Sequence, residues 1–178
     1  MGVRGVVGTV LVAGASLLVS CGDRAREQRP AAFKSLSVGD VAPPYEVRTL
    51  DGDTVRIAAN EPVTILNVWA TWCESCREEM SDLNALDREF QGKHVRVVGV
   101  SVDASPDYRV RRFAEAAKLT FLVGHDPQQR IQQLYNVVGV PETFVVGSDG
   151  RVVWLRVGNL HPALDSLRAV VHRAIRVE

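Results

Sequence analysis

Two cysteines three positions apart, Cys73 and Cys76, lie in the stretch WATWCESCREEM, just after an apolar run and just before a helical pattern. Three chemistries suit such a pair: a structural staple, half of a metal site, or a disulfide that opens and closes. A disulfide across so small a loop removes little entropy from the unfolded chain, so a staple is weakly motivated. A structural zinc site needs two further ligands, usually another cysteine pair or spaced histidines. The chain has three cysteines and four histidines, and His94, His125, His161 and His172 are scattered along it. No metal is therefore expected at the pair, and reversible thiol chemistry is the favoured reading.

The position of the pair adds to this. Val63 to Trp69 (VTILNVW) is a nearly continuous apolar run rich in branched residues, as expected of a strand covered on both faces. Cys73 then stands where that strand has ended and a helix begins, and unpaired amides at a helix start favour a thiolate. Cys76, one turn further in, is expected to be more buried and to resolve the mixed disulfide made at Cys73. Glu74, Glu78 and Glu79 oppose the thiolate and Arg77 offsets part of their charge; these effects are comparable, so the net sign stays open. The expectation is a thiol less acidified than in strongly oxidising proteins, hence a reducing protein. Trp69, inside the strand, reads as core, whereas Trp72, next to Cys73, borders the site and is placed to contact substrate.

The elements that must hold these residues follow from periodicity and turn residues. Tyr45 to Thr49 and Thr54 to Ile57 flank Asp51-Gly52 and predict a hairpin. From Cys76, apolar Met80, Leu83, Leu86 and Phe90 mark one face of a helix. Val95 to Val102 is the next buried strand. Ser105-Pro106 offers a cap and first-turn proline for a helix to about Lys118, with Tyr108, Phe113, Ala116 and Ala117 on or near its inner side. Thr120 to Val123 reads as a short strand and Pro127 to Leu134 as a short helix. Thr143 to Val146 and Val152 to Val157 flank a second hairpin turn, Ser148-Asp149-Gly150. His161-Pro162 opens the last helix, with Leu164, Leu167, Val170, Val171, Ala174 and Ile175 on it. This order calls for an α/β fold, a mixed central sheet with helices on both faces, in one domain.

The first residues have another character. One positive charge, Arg4, precedes an uncharged apolar stretch from Gly5 to Ser20, too short for a comfortable membrane span and laid out like a secretory signal. Its end, Leu18-Val19-Ser20-Cys21-Gly22, resembles the bacterial lipoprotein box, which implies cleavage before Cys21 and a lipid on its thiol. With Cys21 so used, Cys73 and Cys76 are left to pair with each other or with a partner. The expected organisation is a signal peptide at 1–20, a lipidated cysteine and polar tether at 21–37, and the folded domain at 38–178. As a flexible coil the tether reaches on the order of 20 Å from the bilayer. The expected location is extracytoplasmic, on a membrane.

A second motif, Gly139-Val140-Pro141-Glu142-Thr143-Phe144 (GVPETF), puts a proline at the start of an apolar strand, where a missing ladder donor is tolerated. Together, ILNVWATWCESC, YNVVGVPETFVVGSDGRV and VGDVAPPYEVRTLDGDTV resemble the membrane-attached thioredoxin-like proteins of the TlpA, ResA and DsbE (CcmG) group, from about Val38 to the C-terminus. The resemblance implies a thioredoxin-like fold with an N-terminal hairpin extension, and thiol-disulfide exchange by the dithiol itself, without a cofactor. It makes Cys73 the exposed nucleophile, Cys76 its partner and Pro141 a cis proline, with the Val140 backbone offered to an extended substrate. It also makes Glu79 an acidic residue near the dithiol that tunes it, and Glu142 the acidic residue after the cis proline. Thioredoxins themselves carry a buried aspartate where this chain has Asn67, so Glu79 is the carboxylate left to manage protons. Ser75 stands where many of the group have proline.

The implied partners are exported proteins with disulfides, such as apocytochrome c, and a membrane thiol carrier that supplies electrons. Lysine plus arginine and aspartate plus glutamate are both 21, so no basic field points to nucleic acid. Two other functions compete: a copper-handling protein using the dithiol with a histidine such as His125 (or a reductant of copper-site thiols), and a peroxiredoxin-like peroxidase, although this chain lacks the proline expected before such a peroxidase's cysteine.

Overall fold

The computed structural model describes residues 1–2 and 36–176. The signal-like segment, Cys21 and most of the tether lie outside the described residues. Among the described residues no helix is long and apolar enough to cross a membrane.

The centre of the fold is β3, Val63–Trp69, buried at every position as its unbroken apolar run requires. On one side it pairs in parallel with β4 (Val95–Ser101), which pairs in parallel with β5 (Leu122–His125). On the other side it pairs antiparallel with β6 (Glu142–Val146), followed by antiparallel β7 (Val152–Val157). The result is a five-stranded mixed sheet in the order β5-β4-β3-β6-β7. It is flanked by helices, so the expected thioredoxin-like α/β architecture is what the chain forms.

The hairpin of β1 (Tyr45–Arg48) and β2 (Thr54–Ile57) packs beside the edge strand β5. Leu50 N–H donates to the Val123 carbonyl at 2.8 Å, and the Tyr45 hydroxyl donates to Asp126 Oδ2 at 3.0 Å. Gly124 permits the approach, since a Cβ there would come within 2.7 Å of the Val47 side chain. At the opposite edge Gly39 N–H donates to Val152 O at 2.7 Å and Val41 bridges Arg151. The hairpin thus covers part of the β5 edge, and the residues before it pair with the turn leading into β7 and with its first residue, taking up strand donors and acceptors that would otherwise be free to pair with another chain.

The helical pattern from Cys76 to Phe90 is not one helix. It divides at Glu79 into α1 (Glu74–Glu78) and α2 (Met80–Phe90), with Met80, Leu83, Leu86 and Phe90 buried as the spacing predicts. The division lies where the Glu79 side chain is committed to the interior. Helix α3 is Asp107–Ala116; Pro106 stands at its cap position and the Ser105 hydroxyl makes no capping bond. The expected inner face needs correction there. Tyr108 is 51% exposed and Ala116 is exposed, while Val110 is buried and Phe113 packs on Trp69 with ring centroids 5.2 Å apart. A helix so rich in arginine has few apolar residues to define a stripe, so position in the fold decides which ones turn inward.

The remaining elements shift by a few residues from expectation: the short strand is β5 rather than 120–123, and the short helix α4 is Arg130–Tyr135. His161–Ala163 forms a 3-10 turn before α5 (Leu164–Ala174), whose Leu167 and Val171 are buried. Helices α2 and α5 lie together, joined by the Phe90 and His172 rings at 5.2 Å and by Arg168 donating to Glu89 at 2.8 Å.

Candidate active site

Register brings the site together. The antiparallel pairing of β3 and β6 sets Val68 opposite Glu142, so the residues entering β6 meet those leaving β3. The parallel pairing of β3 and β4 sets Trp69 beside Ser101, so the two chains emerge side by side at one end of the sheet. Cys73, Val140 and Asp103 meet there.

Cys73 and Cys76 form a disulfide. Cys73 has extended backbone angles (φ −87°, ψ 114°) and occupies the N-cap of α1, where its Sγ accepts the Cys76 N–H at 3.2 Å, as a serine or aspartate oxygen would. The Ser75 hydroxyl lies 3.5 Å from the same sulfur. Cys76 is fully buried and Cys73 is 7% exposed, so the predicted order of accessibility holds but the outer cysteine is far less open than expected. The preceding Trp72 is 70% exposed and stands on the rim, while Trp69 is core.

The Val140–Pro141 peptide bond is cis. The half-buried Val140 carbonyl oxygen lies 3.5 Å from Cys73 Sγ, although the two residues are 67 positions apart. Glu142 is neither exposed nor aimed outward. It is buried, and its carboxylate turns back to accept the Val138 N–H at 2.9 Å and the Gly139 N–H, so that it holds the loop leading to the proline. Burial pushes its pKa up, and the two amide bonds oppose that shift.

Glu79 is fully buried, three residues beyond Cys76. Its Oε1 accepts from Asn67 Nδ2 at 2.8 Å and its Oε2 from the Leu160 N–H at 2.7 Å. Burial pushes its pKa up to about 7, against the lowering effect of those two bonds. Asn67 Nδ2 also donates to Thr143 Oγ1 at 2.9 Å. The asparagine has a physical reason: an aspartate at 67 would set a second carboxylate against Glu79 in a site that already disfavours one negative charge.

Sequence reasoning passed over Asp103. Its carboxylate binds the loop just before Cys73, and the His125 ring lies 2.9 Å from its backbone carbonyl. The only signal was an aspartate following the apolar run of β4. Among the described residues no three histidine, cysteine or acidic side chains gather as a metal cluster.

Such an arrangement can exchange disulfides: one sulfur near the surface, its partner beneath, a buried carboxylate titrating near neutrality, and a backbone edge beside the outer sulfur. Comparison with known proteins agrees. Residues 38–155 match the AhpC/TSA family. The thiol-disulfide oxidoreductase ResA of Oceanobacillus iheyensis is 32% identical over 144 residues, covering 78% of this chain and 73% of that protein. The thioredoxin-like protein YneN of Bacillus subtilis is 33% identical over 125 residues, 68% of this chain and 72% of its own. Among solved structures, one described as a thiol:disulfide interchange protein DsbE, from Chlorobium tepidum, superposes with a TM-score of 0.73 at 28% identity, over 79% of this chain and 99% of that one. With its redox pair formed at the start of α1, this chain belongs to the AhpC/TSA family, among the ResA- and DsbE-like thiol-disulfide oxidoreductases of thioredoxin fold.

Proposed function

We propose that this chain works outside the cytoplasm, held to a membrane by a lipid on Cys21, and reduces disulfides in exported proteins, with the cysteine pair of apocytochrome c as its substrate. The observation that carries the substrate-facing part is the Val140 carbonyl 3.5 Å from Cys73 Sγ: a peptide laid along that backbone edge would bring its own disulfide to the outer sulfur. The apolar run at 5–20 followed by Cys21 supports the export and anchoring.

In the reduced protein Cys73 attacks as the thiolate, with the Cys76 N–H placed to stabilise it. The substrate S–S bond breaks, one substrate sulfur leaves as a thiolate and takes a proton, and the other stays bonded to Cys73. Cys76 then gives its proton to Glu79, and its thiolate attacks Cys73 Sγ. The second substrate sulfur leaves and is protonated. Two electrons have passed to the substrate, and the chain is left with the Cys73–Cys76 disulfide, the form seen here. A membrane thiol donor restores the dithiol. A carboxyl group with a pKa of about 7 suits this role, being part ionised at neutral pH and so able both to accept and to return a proton. Trp72 borders the incoming peptide, Pro141 lines its path beside Val140, and Glu142 supports that loop from within.

A Cys76→Ala variant tests the assignment, because the mixed disulfide on Cys73 then has no resolving thiol. Expressed with its leader in a cytochrome c-producing bacterium, it should accumulate adducts with apocytochrome c in the envelope fraction that dithiothreitol releases, and Cys73→Ala should accumulate none. Adducts confined to other proteins would remove the substrate; equal capture by both variants would remove the nucleophile.

A further inference from the structure

Three buried carboxylates bond to segments that carry the disulfide or the cis proline, and each ties down a different one. Glu79 holds the α1–α2 junction and Glu142 the loop before Pro141. Asp103, 3% exposed and two residues past the end of β4, is the third. Its Oδ2 accepts the Thr71 N–H at 2.9 Å and the Ser101 hydroxyl at 2.7 Å, and its Oδ1 accepts the Thr71 hydroxyl at 2.6 Å. Three donors converge on one carboxylate, which offsets much of the cost of burying it. On the far side, His125 at the end of β5 meets the Asp103 carbonyl.

Residues 70–73 form a tight turn, closed by the Cys73 N–H donating to the Ala70 carbonyl at 3.2 Å. Within it, Thr71 is bonded through both N–H and hydroxyl to Asp103, while Trp72 projects into solvent and Cys73 sets its sulfur before Val140. Holding Thr71 therefore holds the direction of both neighbours. We propose that Asp103 is a positioning residue for the exchange reaction: by gripping Thr71 at two points it presents Cys73 and Trp72 together to an extended peptide. This rests on the reading of Trp72 and the Val140 edge as substrate-facing.

The grip works through hydrogen-bond geometry rather than charge, and chemistry separates the two. In Asp103→Asn the amide oxygen can take the place of Oδ2 and accept the same two donors, while the amide nitrogen donates to the Thr71 hydroxyl, which then serves as acceptor. Asp103→Asn thus keeps the contacts and loses the charge; Asp103→Ala loses both. Thr71→Val removes one arm with the carboxylate intact, which guards against an Asp103→Ala chain that does not fold, and Thr71→Ser keeps both arms.

The test is single-turnover oxidation of the dithiothreitol-reduced, desalted full chain by two probes. One is a synthetic peptide closed by a Cys-X-X-Cys disulfide; the other is 5,5′-dithiobis(2-nitrobenzoate), too small to span the Val140 edge and Trp72. Asp103→Ala and Thr71→Val should slow the peptide reaction by about tenfold or more, the order expected of a displaced reacting group, and change the small-probe rate by less than about twofold. Asp103→Asn and Thr71→Ser should stay within about threefold of the parent on both probes. Parent-like peptide rates in folded Asp103→Ala and Thr71→Val overturn the proposal, as does equal damage by Asn and Ala at position 103, or an equal fall on both probes. A parent chain that ignores the peptide while reacting with the small probe would instead overturn the peptide-reductase reading on which this rests.

Discussion

Replacing Glu79 by glutamine separates the charge of the buried carboxyl from its shape, and its consequences can be worked from the structure. The folded pKa is about 7 against an ordinary value of 4.5, because burial outweighs the bonds from Asn67 and Leu160. With the folded value above the unfolded one, the folded state binds more protons between those limits, so stability is greatest at low pH and falls as pH rises from about 4.5 through 7. At 1.36 kcal/mol per unit, ionising Glu79 costs the fold roughly 3 kcal/mol, of which about 2.5 kcal/mol is lost between pH 5 and pH 8. Glutamine escapes that loss. It keeps an acceptor for Asn67 but sets an amide N–H against the Leu160 N–H, which costs about 1–3 kcal/mol at every pH. The variant should therefore be less stable than the parent at pH 5 and as stable as the parent or more so at pH 8, the difference moving by about 2.5 kcal/mol in the variant's favour. Urea titrations of the oxidised proteins, followed by tryptophan fluorescence, measure the gap directly. Other titrating groups act alike in both chains and cancel. A gap that stays constant within about 0.5 kcal/mol would refute the pKa assignment and with it the proton acceptor proposed for Cys76. The same variant should flatten the rise, through pH 7, in the rate at which Cys76 resolves a mixed disulfide.

Two further substitutions probe the rim and the support beneath it. Trp72→Ala should change folding free energy by no more than about 0.5 kcal/mol, since the ring is exposed, yet lower kcat/KM for a protein disulfide by about tenfold if the ring is a docking contact; urea melts and steady-state kinetics read the two effects separately. Gly99→Ala would put a methyl 2.6 Å from the Phe121 ring and 3.0 Å from Trp69 Nε1, so a loss of about 1–3 kcal/mol and a lower Tm by calorimetry are expected, and an unchanged Tm would show that the rings can move aside.

Much of the scaffold was legible in short windows of sequence. Val63–Trp69 and Val152–Val157 form strands with the bounds their apolar patterns indicate, because a buried strand needs little beyond its own run of branched residues and the turns beside it. The cysteine pair and the GVPETF motif likewise carried the redox chemistry and the family. Where a segment's own pattern was thin, as in α3, local reading placed Phe113 correctly against the core but took Tyr108 and Ala116 for inner positions and passed over Val110. The helix expected from Cys76 divides at Glu79 for a related reason: the side chain's partners, Asn67 and Leu160, lie 12 and 81 positions away.

By itself, then, the sequence determined which atoms can react and the secondary structure that carries them, since both depend on residue type and on periodicities spanning a few turns. Tertiary structure alone decided the environment of those atoms. It buried Glu79 so that its carboxyl titrates near 7, turned Glu142 inward onto its own loop, brought Val140 to Cys73, and gave Asp103 the two donors of Thr71, 32 positions away. Desolvation and hydrogen-bond geometry arise from contacts between distant segments, and the register of β3 with β4 and β6 brings those segments together.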